Sequence, residues 1–135
     1  MSRSLIQTVN QSPQTVALNG IISPGSVQRR FGCDCRLSGN GIEVEGIGYY
    51  TVTASITATP TAIGNVTVVM NENGSAHPGA IATGSVATVG NSANLTIVAT
   101  VRKGCCCDTG ASNLTFVLTE GAGVIDNISI RVEKA

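Results

Sequence analysis

Apolar and polar residues alternate one by one through much of this chain. Tyr50, Val52, Ala54, Ile56 and Ala58 take every second position, and Thr51, Thr53, Ser55 and Thr57 fill the gaps. A period of two predicts a β-strand with one face buried and the other exposed. Threonine suits the exposed face, because a branched Cβ fits a pleated sheet. The same beat recurs at Val66, Val68 and Met70, at Leu95, Ile97, Ala99 and Val101, and at Leu114, Phe116 and Leu118. A last strand runs through Val124, Ile128, Ile130 and Val132. Asp126 breaks its apolar phase, which predicts a bulged or exposed start. Shorter strands are predicted at residues 5–9, 15–18, 27–31 and 42–45. No segment shows the 3.6-residue period of a helix.

Strong breakers separate these runs: Asn19-Gly20, Ser23-Pro24-Gly25, Ser38-Gly39-Asn40-Gly41, Asn73-Gly74, Pro78-Gly79, Gly90-Asn91 and Gly121-Ala122-Gly123. Glycine and asparagine supply the positive φ that tight hairpins demand. Strands at this density, with no repeat and no linker, predict one all-β sandwich or jelly roll spanning residues 1–135. Residues 1–20 are expected to form its first strand or an arm that docks elsewhere.

Composition changes the picture in two ways. The 135 residues carry 8 Lys plus Arg and 8 Asp plus Glu, a net charge of zero, so the basic surface that nucleic acid needs is missing. Neither a polybasic membrane-binding stretch nor an apolar run of the roughly 20 residues that span a bilayer is present. No signal-peptide core follows Met1-Ser2-Arg3-Ser4. Charged residues are only 12%, against about 25% in a typical domain. A surface so thinly charged is poorly defended against self-association, and copies of the same chain are the expected cover. Aromatics are 3% with no Trp, which argues against a broad aromatic binding platform.

The middle of the chain carries a resemblance. Gly41-Ile42-Glu43-Val44 leads into Gly46-Ile47-Gly48-Tyr49-Tyr50-Thr51-Val52. After Thr59-Pro60-Thr61 come Gly64-Asn65-Val66-Thr67-Val68, then Asn71-Glu72-Asn73-Gly74, then Pro78-Gly79-Ala80. Over residues 42–132 this order of strands and turns resembles the jelly roll of the tumour necrosis factor and complement globular-head superfamily. It is similar to bacterial and phage versions of that fold, the heads of collagen-like spore-surface proteins and small phage virion proteins. The resemblance implies about ten antiparallel strands and a threefold homotrimer. It places the trimer interface at Tyr49 and Tyr50 with the final strand, Ile128 and Ile130. The alternative is that the tyrosines close the core of the domain. The Gly-X-Y stalk of the spore-surface relatives is absent.

Five cysteines fall in two clusters, Cys33-Asp34-Cys35 and Cys105-Cys106-Cys107. Three readings compete. The clusters pair as disulfides within or between subunits, which needs an oxidising compartment and leaves an odd thiol. They hold zinc, although C-x-C and C-C-C differ from zinc-finger spacing and neighbours on a strand point to opposite faces. Or they are buried thiols acting as small apolar groups.

Catalytic signals are thin. The single histidine, His77, lies in the run Gly74-Ser75-Ala76-His77-Pro78-Gly79 and reads as a solvated turn residue. Glu43 and Glu45 share one strand face, a pattern that serves acid–base chemistry but more commonly forms a solvated rim. No glycine-rich loop leads from strand to helix. The expectation is a non-enzymatic structural protein of a phage particle, a trimeric capsid decoration or head fibre at the virion surface. Its partners are then itself and other capsid or virion proteins. The alternative is a receptor- or carbohydrate-binding head of a fibre or of a bacterial cell or spore surface.

Overall fold

The computed structural model describes residues 4–103 and 112–134. Within them the chain forms twelve strands and no helix. In chain order they are β1 (Leu5–Asn10), β2 (Gln14–Val16), β3 (Gly20–Ile21), β4 (Ser26–Phe31), β5 (Cys35–Ser38), β6 (Gly41–Val44), β7 (Gly48–Pro60), β8 (Gly64–Glu72), β9 (Ser75–Val86), β10 (Ala93–Lys103), β11 (Ser112–Glu120) and β12 (Gly123–Lys134). They pair into two antiparallel sheets of six. One runs β10-β7-β12-β1-β4 with β2 against β12; the other runs β5-β6-β11-β8-β9 with β3 against β11. The short pieces β2, β3 and β5 raise the count above the ten expected.

One apolar core fills the space between the sheets. The alternation read in the sequence decides which side chains enter it. Val52, Ala54 and Ile56 of β7, Leu95 and Ile97 of β10, and Ile128, Ile130 and Val132 of β12 face Val66, Val68 and Met70 of β8 and Leu114, Phe116 and Leu118 of β11. Each large aliphatic side chain removed from water contributes roughly 1.5–3 kcal/mol. The interruption at Asp126 is a bulge: Ile125 pairs with Ala58 and Asn127 with Thr57, so Asp126 is the extra residue. The apolar phase shifts there, and Ile125 rather than Val124 enters the core.

Of the two forms expected for the N-terminal stretch, Leu5–Asn10 takes that of a strand, interior to its sheet and paired with β12 and β4. One expectation needs correction. Pro78-Gly79 does not end a strand but lies inside β9. Val69 pairs with Ile81 and Asn71 with Ala76, so the intervening residues form a large bulge. Proline is tolerated there because β9 is an edge strand. The hairpin turn is Asn73-Gly74 between β8 and β9, with φ of 54° and 87°, both in the left-handed region that this residue pair adopts readily.

Candidate assembly interface

The side of β7 turned away from the core carries Tyr49, Thr51, Thr53, Ser55 and Thr57. On β10 the same side carries Asn94, Thr96, Val98, Thr100 and Arg102. Beyond its bulge, β12 adds Ser129, Arg131 and Glu133. The ladders align these into rows. Thr53 stands opposite Val98 on one side and Arg131 on the other; Thr51 stands between Thr100 and Glu133. Gln7 and Leu5 of β1 continue the two rows. The result is a broad pleated face of small hydroxyl side chains. Val98, 63% exposed, lies within it, and Tyr49, 56% exposed, lies at its cysteine-bearing end. Thr57 bonds Asn94 at 3.0 Å, and Thr59 bonds both Ser92 at 2.8 Å and Asp126 at 2.6 Å, which knits the opposite end.

The four expected interface residues therefore divide. Tyr49 is on the open face. Tyr50, Ile128 and Ile130 are at most 1% exposed, because each sits on the inward phase of its strand. A neighbouring subunit cannot touch them. The Tyr50 hydroxyl donates to the carbonyls of Glu45 at 2.7 Å and Gly46 at 2.9 Å, anchoring the turn that leads into β7. Burial raises its pKa well above the ordinary phenol value. Val98, Arg131 and Glu133 were not singled out from the sequence, although the polar phase of β10 and β12 carries them.

The outer strands of both sheets carry features that discourage further pairing. A bulge between Gln7 and Thr8 distorts the β1–β4 ladder, and β4 itself carries Arg29 and Arg30. Arg30 Nε donates to the Cys35 carbonyl at 3.0 Å, covering the edge of β5. His77 bridges the other side: its Nε2 lies 3.0 Å from the Thr100 carbonyl on the edge of β10, and its Nδ1 3.2 Å from Glu72 Oε1. His77 is therefore a strut between the two sheets, not a solvated turn residue. With proline and a bulge in β9, every edge bears a device that discourages strand addition.

The cysteines meet different surroundings. Cys33 is exposed; Cys35 is fully buried. Burial, with Asp34 beside it, pushes the Cys35 thiol up to about 11. Zinc takes thiolates converging on one point. Among the described residues no three His, Cys, Asp or Glu side chains converge as a metal site. Cys105, Cys106 and Cys107 lie outside the described residues. The strands that flank them do return to this end: Ser112 and Cys35 both pair with Val44, and the buried Lys103 Nζ donates to Ser112 Oγ at 3.0 Å.

The two carboxylates on β6 and just beyond it are engaged by one guanidinium. Arg36 Nε lies 2.7 Å from Glu43 and its Nη2 3.5 Å from Glu45. The Arg36 bond holds Glu43 below the usual carboxylate range, away from the raised value a general acid needs. A hollow of about 700 Å³ opens beside the end of β1 and the start of β4. Its lining, which includes Asn10, Gln11, Ser12, Ser26 and Gln28, has no titratable side chain.

No protein-family model and no curated protein matches the chain by sequence. Solved structures do match by fold. The chain is similar to the Eiger TNF of S. frugiperda, with a TM-score of 0.70 and 10% identity, covering 98% of this chain and 91% of that one. It is similar to the PRD1 vertex protein P5, with a TM-score of 0.64 and 16% identity over 97% and 96% of the two chains. The globular domain of zebrafish complement 1qA protein gives a TM-score of 0.65 at 7% identity over 94% of each. The fold is a tumour necrosis factor-like jelly roll.

Proposed function

We propose that the protein is a non-enzymatic structural component of a phage particle. It works as a homotrimer on the capsid surface, as a decoration or head-fibre protein. The observation that carries the reading is the open face of the β10-β7-β12-β1-β4 sheet. It spans several long strands and is mostly uncharged. On a surface so thinly charged, a copy of the chain covers the exposed Val98 and the threonine methyl groups while the hydroxyls bond across the contact. Packing against copies of the same chain removes that face from solvent with little charge to desolvate. The likeness to the vertex protein of a phage supports the setting. The absence of titratable groups from the large hollow, and the Arg36 clamp on Glu43 and Glu45, support a role without catalysis.

Native mass spectrometry tests the assembly. The expected result is a species of three times the chain mass, reduced to one chain by Val98→Arg. A wild-type monomer overturns the reading. Peptide mass spectrometry of purified particles then tests the location, and absence of the chain from the particle overturns the capsid role.

A further inference from the structure

Resting on that assembly, we infer that Arg131 and Glu133 are the specificity determinants through which one copy of this chain recognises another. They stand two residues apart on β12, both on the open face, with Arg131 Nη2 2.7 Å from Glu133 Oε2. Together with Thr51 and Thr53 they line a hollow of about 200 Å³ on that face. Between Thr53 and Thr51 on one side and Gln7 and Leu5 on the other, they are the charged pair among neutral neighbours. Arg102 also lies on this face, level with Tyr49, and Arg29 lies on the edge strand β4.

Three features point to a second copy as the occupant. The pair holds one positive and one negative group, so the same patch on a neighbour is complementary to it. A guanidinium has five N–H donors; Arg131 spends one on Glu133 and meets no other acceptor among the described residues. Both side chains are more than half exposed, 56% and 52%, so their bonding capacity is turned outward. Brought together about an axis, each Arg131 bridges its own Glu133 and that of the next subunit. Both charges of this pair are then matched across the interface. A partner lacking the matching pair leaves an unpaired ion on a desolvated surface, which is how charged groups reject wrong partners.

The test uses two variants of the full chain, Arg131→Glu and Glu133→Arg. The first places two acids on the patch, the second two bases. Each is expected to weaken self-association at least tenfold, because like charges meet at every contact, while leaving the far-ultraviolet circular dichroism unchanged. Mixed together, the two are expected to form hetero-oligomers in native mass spectra. The double reversal R131E/E133R is expected to assemble as the wild type does. If the wild type assembles and both single variants assemble equally well, this inference is overturned and the assembly stands. If the wild type is monomeric, the assembly reading itself fails.

Discussion

Lys134 Nζ sits 2.8 Å from Asp34 Oδ2, one hundred residues away along the chain, with the two side chains only 12% and 22% exposed. The pair closes the end of the sandwich that bears the cysteines. Ser4 Oγ accepts from the Asp34 backbone N–H at 3.1 Å, and the Ser4 carbonyl accepts from the Lys134 N–H at 2.8 Å. The first strand, the last strand and the Cys33–Cys35 turn thus hold one another. A partly buried ion pair differs from a surface one, because removing either partner strands the other away from water. Asp34→Ala is expected to lower the free energy of unfolding by about 2 kcal/mol. A double-mutant cycle with Lys134→Ala, read by urea unfolding, is expected to show coupling of about 1 kcal/mol or more. Additive losses would remove the pair from the account of stability.

The buried thiol next to this clasp makes a second prediction. Cys35 is raised from 9.0 to about 11, chiefly by burial. Its folded state therefore holds the proton more tightly than the unfolded state does. Stability from this group is complete below pH 9 and is lost as pH rises towards 11. The wild type is expected to lose stability across that window by about 1–3 kcal/mol more than Cys35→Ala does. Iodoacetamide at pH 8 is expected to modify the exposed Cys33 within minutes and Cys35 only on unfolding. Equal labelling of the two in the native protein would contradict the burial.

The strands were legible because a period of two leaves a visible mark. The alternation at Tyr50 to Ala58 and at Leu95 to Val101 predicts β7 and β10, and also which phase is inward. Asp126 announced its bulge by breaking that phase. What stayed hidden depends on tertiary neighbours. β9 has the pattern of neither a half-buried strand nor a helix, because its glycines and proline follow a bulge opposite β8. The partners of His77 lie on β8 and β10, which sequence spacing alone does not relate. Tyr50, Ile128 and Ile130 were assigned to the wrong face of their strands for a different reason. Family likeness pointed to the tyrosine pair and the last strand, but one-residue steps on a strand reverse the facing of a side chain. Tyr49 and Tyr50 therefore belong to opposite sides of the sheet.

That opposition is itself testable. Tyr50→Phe removes a hydroxyl that satisfies the carbonyls of Glu45 and Gly46. It is expected to cost about 1–2 kcal/mol of stability and to leave the oligomer mass unaltered. Tyr49→Lys, on the open face, is expected to do the reverse. The protomer unfolds as before, and self-association weakens because a new cation must be desolvated without a partner. Thermal unfolding and sedimentation velocity, run on both variants, separate the two roles. A Tyr50→Phe protein that dissociates while retaining its stability would return Tyr50 to the interface.

His77 offers the sharpest check on how the two sheets are held along their β9 and β10 margin. Its ring reaches from the bulge in β9 to a main-chain carbonyl on β10 and a carboxylate on β8. The β10 carbonyl is at a sheet edge, so without the ring it turns to water. His77→Ala is therefore expected to loosen this margin and not the whole core, lowering Tm by about 3–6 °C. Native-state hydrogen exchange is expected to rise at the amides of β9 around the bulge. The amides of β7 and β12, two strands inside the sheet, are expected to keep their protection. Uniformly faster exchange throughout the protein would mean that His77 supports the global fold rather than fastening one edge of it.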